Sequence, residues 1–406
     1  MTAGGPRPAP VDPGPAHRIG VAVSGGGDSM ACLDLVLSGA GGRSVHAVTV
    51  DHGLRAEARA EAVAVAAFCA ARGISHDTLQ WHWDGTGNLQ ARARDARYRL
   101  IGEWARVRAL DVVMLGHTAD DVAESLLLRL RRAPGCDGLA EMPRRFARHG
   151  VAWARPLLDL SRAALRDHLR GRAIGWSDDP SNDDPRYDRA RARRVLAALA
   201  PMGAGVEALS ATARHLRQAS TALDHYADEE AARRATADRG DLLLDLTPPL
   251  PAEIARRLVA AALRWVSGRG DGPRQAGLDA LATWPTPCGI RTLHGCLLSP
   301  GPGQRLRIAR EPAAVARITA PADRLWDGRW RLTGPAAPDL CIAALGRHLT
   351  ECATWRDTGL PRHSLMASPA VFRHGTLVAA PVAGHPAGWQ AVADGRGNFA
   401  VSGQGD

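Results

Sequence analysis

Residues 24–29 place two serines, three glycines and an aspartate between a short apolar stretch and a helix-like stretch. Glycines let backbone N–H groups point at a ligand, and a helix N-terminus attracts anions. Serine hydroxyls donate to phosphate oxygens, whereas a carboxylate such as Asp28 approaches phosphate only through a cation. The stretch predicts a site for a Mg²⁺-bound polyphosphate with Asp28 as metal ligand; the alternative is a tight turn in which Asp28 or Ser29 caps the helix. The predicted phosphate-binding residues are Ser24, Gly25, Gly26, Gly27, Asp28 and Ser29.

Three acids open another helix-like stretch farther along the chain. Asp120 and Glu124 lie four residues apart and share a helix face, with Asp121 beside them. Carboxylates in this arrangement can hold Mg²⁺ or accept a proton during catalysis. The alternative is structural, because Thr118-x-x-Asp121 is a capping-box pattern and acids favour a helix N-terminus.

Side chains suited to phosphate chemistry occur at two further places. Arg94 and Arg97 are three residues apart on one helix face and can neutralise charge that develops on a phosphate. A solvated helix face is the alternative for this pair. Asp51 and His52 follow a predicted strand, where parallel sheets usually contact ligands, and they are assigned to nucleotide binding. His52 is equally consistent with a structural histidine.

The charge balance favours a polyanionic partner such as nucleic acid. The formal charge is +9, the pI is about 9.9, and all 51 basic residues are arginine. The lack of lysine excludes a GxxxxGK[ST] phosphate loop, a protein-kinase lysine and Schiff-base catalysis. Five arginines within nine residues indicate either a contact with a nucleic-acid phosphate backbone or a solvated helix face. They are Arg186, Arg189, Arg191, Arg193 and Arg194.

The elements that must position these residues alternate along the chain. Apolar stretches, each followed by a helix-like stretch, indicate an α/β fold with a parallel sheet and helices on both faces. The predicted strands cover 18–23, 44–50, 74–81 and 110–117. A further helix is predicted over 155–172, a polar loop over 176–185 and an arginine-rich helix over 186–199.

The alternation weakens after about residue 135, and short strand-like pieces follow residue 287. We therefore expect a disordered leader, a catalytic α/β domain, a helical domain and a small β-rich C-terminal domain. Their expected bounds are 1–17, 18–200, 201–285 and 286–406.

The seven cysteines are scattered and never spaced as CxxC, which argues against a zinc ribbon, an iron–sulfur site or a disulfide scaffold. No signal peptide and no run of 18 apolar residues is visible in the sequence. We expect a cytoplasmic protein with reduced thiols and no membrane partner.

Five ordered blocks of sequence resemble a known family. Residues 24–29 resemble the SGGxDS loop of the N-type ATP pyrophosphatase, or PP-loop, family. The other blocks resemble segments of tRNA(Ile)-lysidine synthetases within that family. They are VDHGLR (50–55), GNLQARARDARYRL (87–100), GHTADDVAESLLLRLRR (116–132), and RPLLDLSRAAL with WSDDPSNDDPRYDRARAR between residues 155 and 194.

The resemblance implies an adenine-nucleotide α-hydrolase-like fold and a two-step ligation. The wobble cytidine of an isoleucine tRNA with a CAU anticodon attacks the α-phosphate of ATP, and pyrophosphate leaves. The amine of free L-lysine then displaces AMP to form lysidine. ATP and Mg²⁺ are the implied cofactors, the arginines between 186 and 194 bind tRNA, and the C-terminal domain helps to recognise it. The implied catalytic residues are Asp28, one of Arg94 and Arg97, and Asp120, Asp121 and Glu124, whose carboxylates also suit the lysine ammonium.

The chain departs from the family pattern at three positions. Val122 stands where the family usually has Gln, Thr118 where it often has a second His, and Ala190 where it has Asn. Two alternatives stay open: a PP-loop tRNA 2-thiolase, which the lack of CxxC opposes, and a non-catalytic RNA-binding protein, which the intact loop opposes. The sequence leaves open the oligomeric state, with a homodimer as one option.

Overall fold

The structure is a computed structural model that describes residues 8–53, 56–83, 85–87, 89–132, 135–178, 186–282, 289–335, 337–393 and 398–402. The chain divides into two compact units, Met1–Ser220 and Thr221–Asp406. All of the predicted site residues lie in the first unit.

Strands and helices alternate in the first unit. Its strands are β1 (Arg18–Ala22), β2 (Ser44–Asp51), β3 (Ser75–Gln80), β4 (Val112–Leu115), β5 (Arg145–Arg148) and β6 (Val151–Ala154). Its helices are α1 (Gly27–Gly39), α2 (Ala56–Ala70), α3 (Leu89–Val107), α4 (Ala119–Leu130), α5 (Cys136–Leu139), α6 (Arg162–Gly171), α7 (Asp188–Leu199) and α8 (Val206–Arg234), which crosses the division between the units.

The six strands form one sheet with the order β3-β2-β1-β4-β6-β5. All neighbours pair in parallel except β5, which forms an antiparallel hairpin with β6. Ile19 and Val21 of β1 face one hydrophobic core, which includes residues of α1 and α6. Val113 and Leu115 of β4 face a second core, which includes residues of α3. The sheet is therefore covered on both faces, and the predicted fold class is confirmed.

The strand order reverses at β1, because β2 and β3 extend to one side of it and β4 pairs with the other. In open α/β sheets such a reversal creates a ligand crevice at the carboxyl ends of the two central strands. The loops after β1 and β4 meet there. A Cβ on Gly116 would lie 2.7 Å from the carbonyl oxygen of Asp28, so glycine at this position permits the contact.

The start of the described chain differs from the expected disordered leader over 1–17. Val11 is buried in the core beside α1, and its N–H donates to the carbonyl of Leu35 at 3.0 Å. A Cβ on Gly39 would lie 2.1 Å from the carbonyl oxygen of Val11, so α1 is shaped to receive this segment. Residues 8–17 are thus packed, whereas residues 1–7 lie outside the described residues.

The helix predicted over 155–172 is also corrected. Only Arg162–Gly171 is helical, because Ser161 caps this helix by accepting a hydrogen bond from the N–H of Ala164 at 3.2 Å. The hairpin of β5 and β6 was not predicted. The predicted polar loop over 176–185 is described only for residues 176–178.

The second unit is rich in antiparallel strands. Its strands are β7 (Ala235–Asp238), β8 (Asp241–Leu244), β9 (Arg291–Leu293), β10 (Cys296–Pro300), β11 (Leu306–Arg310), β12 (Thr319–Pro321), β13 (Trp330–Thr333), β14 (Leu340–Ala344), β15 (Pro369–Arg373), β16 (Thr376–Ala379) and β17 (Gln390–Ala393). Its helices are α9 (Ala252–Ser267), α10 (Gln275–Ala282), α11 (Pro312–Val315) and α12 (Arg362–Met366).

Three sheets organise these strands, in the orders β7-β8-β11-β10-β9, β12-β14-β15-β16 and β13-β17. The β-rich C-terminal region is confirmed. The expected boundary at 285/286 falls between strands of the first of these sheets, because β7 and β8 lie within the stretch that was expected to be helical.

No single helix in the described ranges is long and apolar enough to cross a membrane. Within these ranges, only Asp188–Met202 and Val206–Arg234 taken together have the length and composition of a membrane span, and they are bent by 101° relative to each other.

Candidate active site

The loop after β1 presents an open helix N-terminus in the crevice. Gly26 is the N-cap of α1, and no side chain of the described residues caps this helix. The Ser29 hydroxyl instead accepts the N–H of Ser24 at 3.1 Å and donates to the carbonyl of Gly26 at 2.8 Å. The capping alternative for Asp28 or Ser29 is therefore not realised. Gly25 has φ +87° and faces α2, a conformation that requires glycine.

Asp28 turns away from the loop and toward α6. Its Oδ2 accepts a hydrogen bond from Nε of Arg162 at 3.0 Å. Its Oδ1 is buried and has no hydrogen-bond partner among the described residues. The pKa of Asp28 is raised, because the effect of burial exceeds the opposing effect of the Arg162 charge.

An unpartnered buried carboxylate oxygen is the kind of ligand that Mg²⁺ prefers, so Asp28 fits the predicted metal. No group of three His, Cys, Asp or Glu residues with a metal-site arrangement occurs in the described ranges. Mg²⁺ commonly binds one or two carboxylates together with substrate phosphates, and the residues present fit that mode.

The acids of α4 have different surroundings. Asp121 forms the capping box with Thr118, whose N–H donates to its Oδ2 at 2.9 Å, so the structural alternative is realised for this oxygen. Oδ1 of Asp121 lies 3.5 Å from Nη1 of Arg189. Burial raises the pKa of Asp121, but nearby His117, the Thr118 N–H and the guanidiniums outweigh it, so the pKa lies below its usual value.

Glu124 is the most enclosed of the α4 acids, with 1% of its surface exposed. Its Oε1 accepts hydrogen bonds from Nε of Arg193 at 2.7 Å and from Nη1 of Arg162 at 3.3 Å. Its Oε2 is buried without a hydrogen-bond partner in the described part of the chain. Oε2 of Glu124 is therefore a second buried carboxylate oxygen without a partner, after Oδ1 of Asp28. Burying such an oxygen without a ligand lowers the stability of the fold.

Arg162 joins all of these acids, although the sequence reasoning did not single it out. Its backbone N–H donates to Oδ2 of Asp120 at 2.7 Å, and its guanidinium lies within 4 Å of all four carboxylates. The sequence carries a weak signal for this position, because Arg162 directly follows the helix cap Ser161 in the RPLLDLSRAAL block. We call Asp28, Asp120, Asp121 and Glu124 the acidic cluster.

His117 was also missed, although it ends the loop after β4. Nε of Arg155 lies 3.2 Å from Nδ1 of His117. Since an arginine Nε only donates, Nδ1 accepts and the ring proton of neutral His117 resides on Nε2. Burial and the guanidinium of Arg155 lower the pKa of His117 to about 3, although Asp121 opposes the shift. His117 is therefore a neutral hydrogen-bond donor at pH 7.

Arg94 and Arg97 both lie beside Tyr98, with their guanidinium carbons 5.3 and 5.9 Å from the centre of its ring. The charge of Arg97 contributes to lowering the pKa of His52, after burial. The His52 ring makes an edge contact with Trp81 at 5.5 Å, and its Nδ1 is a buried atom without a hydrogen-bond partner in the described part of the chain.

Asp51 has a structural contact, since its Oδ1 accepts the N–H of Gly53 at 2.9 Å. Two of the five arginines clustered between residues 186 and 194, Arg189 and Arg193, form ion pairs with the acidic cluster. Arg191 pairs with Asp188 on the same helix. Arg186 and Arg194 are exposed.

The comparisons with known proteins agree with this geometry. A family model described as a PP-loop domain matches residues 9–199 and indicates ATP binding. The tRNA(Ile)-lysidine synthase of Ruegeria pomeroyi is 45% identical over 93% of this chain and 91% of its own. The tRNA(Ile)-lysidine synthase of Brucella anthropi is 35% identical over 90% of this chain and 85% of its own length. The enzyme of the same name from Rhodopseudomonas palustris is 41% identical over 66% of this chain and 80% of its own length. The PP-loop resemblance is confirmed, and the chain belongs to the tRNA(Ile)-lysidine synthase family.

Proposed function

We propose that this protein is the tRNA-modifying ligase that joins free L-lysine to C2 of the wobble cytidine in an isoleucine tRNA with a CAU anticodon. The base is first adenylated with release of pyrophosphate, and lysine then displaces AMP. The single observation that carries the proposal is the acidic cluster beside the N-terminus of α1, in which two buried carboxylate oxygens have no donor within the described ranges.

The first step needs an anion site for the departing pyrophosphate. The loop Ser24–Ser29 offers backbone amides and serine hydroxyls at the positive end of α1. Mg²⁺ on Oδ1 of Asp28 would neutralise charge on the phosphates. The charges of Arg94 and Arg97 act on His117, which lies in the loop after β4. In this proposal their charge stabilises the α-phosphate as the cytidine oxygen attacks.

The second step needs a site for a cationic amine that becomes a nucleophile. Oε2 of Glu124 has no hydrogen-bond donor among the described residues and would accept a hydrogen bond from the lysine ammonium. The ammonium transfers a proton to this carboxylate, the free amine attacks C2, and AMP leaves with the electrons of the C2–O bond. The lowered pKa of Asp121 keeps this carboxylate ionised, so it serves as a fixed negative charge. His117 donates its Nε2 proton to an oxygen of the reacting groups.

The tRNA backbone is bound by arginines in α7 and directly before it. Arg186 and Arg194 face solvent and suit phosphate contacts, whereas Arg189 and Arg193 link this surface to the acidic cluster. Cys32, Cys69 and Cys352 are free thiols, which suits a reducing cytoplasm.

The test supplies ATP, Mg²⁺, labelled lysine and an isoleucine tRNA transcript with a CAU anticodon. We expect label in the tRNA together with equal amounts of AMP and pyrophosphate. A transcript with uridine in place of the wobble cytidine is the matched control and should stay unlabelled. Release of ADP and phosphate, or labelling of the control, would overturn the proposal.

A further inference from the structure

One guanidinium stands at the centre of the site. The guanidinium nitrogens of Arg162 lie 3.0 Å from Oδ2 of Asp28 and 3.3 Å from Oε1 of Glu124. They lie 3.8 Å from Oδ1 of Asp121 and 3.9 Å from Oδ1 of Asp120. The Arg162 side chain is 19% exposed. Arg162 thus connects the nucleotide loop at the start of α1 with the acids of α4. The loop and α4 are separated by about a quarter of the chain length.

Among the described residues, the ion pairs around Arg162 are unequal in number. Arg189 and Arg193 also form ion pairs with the acidic cluster, so three guanidiniums pair with four carboxylates there. Two carboxylate oxygens, Oδ1 of Asp28 and Oε2 of Glu124, have no hydrogen-bond partner among the described residues. A buried carboxylate oxygen without a donor attracts a cation. Glu124 is almost fully buried, with 1% of its surface exposed. Arg162 therefore occupies a place to which external cations are also attracted.

Nucleotide binding changes this balance at Asp28. A triphosphate at the α1 N-terminus brings several negative charges close to the Arg162 guanidinium, and its Mg²⁺ competes with Arg162 for the Asp28 carboxylate. Arginine pairs with phosphate in the same forked geometry as with carboxylate. Movement of Arg162 from the carboxylates to the phosphates would remove one of the two donors on Oε1 of Glu124, and Arg193 would remain.

We propose that Arg162 is a positioning residue that couples the two substrates: it holds the acidic cluster until nucleotide draws it away, and lysine then binds the vacated carboxylates. This inference rests on the proposed function. Lysine and Arg162 compete for the same acids, so nucleotide raises the affinity for lysine. Coupling free energy is reciprocal, so lysine raises the affinity for nucleotide by the same factor.

The test measures lysine binding by calorimetry, with and without Mg²⁺ and an ATP analogue that carries a methylene group between the α- and β-phosphates. For the wild-type chain we expect lysine to bind about 5- to 150-fold more tightly with the analogue, the usual range of coupling. In Arg162→Met the ratio should fall to near one, because lysine binds without displacing a guanidinium. A ratio in Arg162→Met equal to that of the wild type would overturn the inference.

Two further variants make the test specific. Arg166→Met removes a guanidinium from the same helix, where Arg166 pairs with the exposed Asp178, and should keep the wild-type ratio. Arg162→Lys keeps the charge without the fork and should lower the ratio, which covers the case in which Arg162→Met does not fold. An unchanged ratio in Arg162→Lys would also overturn the inference.

The labelling assay separates this inference from the proposed function. If wild-type protein labels tRNA with lysine but shows no coupling, the inference about Arg162 is wrong and the function stands. If wild-type protein neither binds lysine nor labels tRNA, both are wrong.

Discussion

Two buried groups of charges in this molecule use the same residue types in opposite ways. In the second unit, Arg307 donates to Asp241 at 2.6 Å and to Asp238 at 2.7 Å, and Ser364 donates to Asp241 at 2.6 Å. We call these four residues the Arg307 network. None of its carboxylate oxygens is found buried without a partner in the described part of the chain. In the acidic cluster, by contrast, two such oxygens have none.

The difference separates charges that stabilise a fold from charges prepared for a ligand. A buried ion pair with complete hydrogen bonding fixes its neighbours and binds nothing further. A buried carboxylate without a donor lowers stability until a ligand supplies a cation. Removal of a carboxylate should therefore damage the fold at the Arg307 network and the chemistry at the acidic cluster.

The largest effect on folding should come from Asp241→Ala. The substitution leaves Arg307, which is 3% exposed, with half of its pairing, and breaking a buried pair costs about 3–5 kcal/mol. Chemical denaturation should show this loss in the free energy of unfolding. Asp339→Ala removes a half-exposed acid paired with Arg373 in the same unit and should cost less than about 1 kcal/mol. Equal losses in both variants would remove the basis of the comparison.

Asp28→Ala should have the opposite profile. Labelling of tRNA with lysine should fall roughly 10²–10³-fold, as is typical when a group that stabilises transition-state charge is lost. The free energy of unfolding should stay the same or rise, because a buried oxygen without a donor is removed. Affinity for tRNA should change little. Full activity in this variant would refute the placement of the metal at Asp28.

The pH dependence of stability should change in His117→Gln. The folded pKa of His117, about 3, is below the unfolded value of about 6.5, so the unfolded chain binds more protons between these values. Stability therefore falls as the pH falls through this window, by up to about 1.4 kcal/mol per pH unit for one proton. Unfolding at several pH values should give a shallower slope in the variant than in the wild type. Identical slopes would mean that His117 is not the neutral donor described here.

The smallest effect should come from the double variant Arg186→Ala plus Arg194→Ala, which removes the two exposed guanidiniums proposed to contact phosphates. Loss of phosphate contacts should weaken tRNA binding and reduce the slope of log affinity against log salt by about one per contact. The matched control is Arg170→Ala, on an exposed face of α6 where Arg170 pairs with Asp167. A salt slope equal to that of the control would count against α7 as a tRNA surface.

The sequence predicted the nucleotide loop and the parallel sheet because their signals are local. Glycines follow an apolar strand, and strands alternate with helices at regular spacing. The sequence also left two functions open for Asp121, and the structure shows that one oxygen caps α4 while the other faces arginines. A single carboxylate can serve both purposes, so the two interpretations were not exclusive.

The missed residues depend on contacts between distant parts of the chain. Arg162 and Asp28 are 134 residues apart, and the only local signal at Arg162 is its position directly after the helix cap Ser161. The packing of residues 8–17 was missed for a similar reason. A Pro- and Gly-rich segment has no periodic pattern, and the space that receives Val11 exists only because Gly39 has no side chain.

Gly116 has a consequence for how this active site can change over time. The loop that binds nucleotide and the loop that leads to the acids of α4 touch at Gly116, where a Cβ would lie 2.7 Å from the carbonyl oxygen of Asp28. Any larger residue there would push the two loops apart and so separate the phosphates from the amine, even though no reacting atom had been altered. A substitution at this position should therefore leave every catalytic side chain unchanged. It should nevertheless impair the transfer of the adenylated base from the first step to the second.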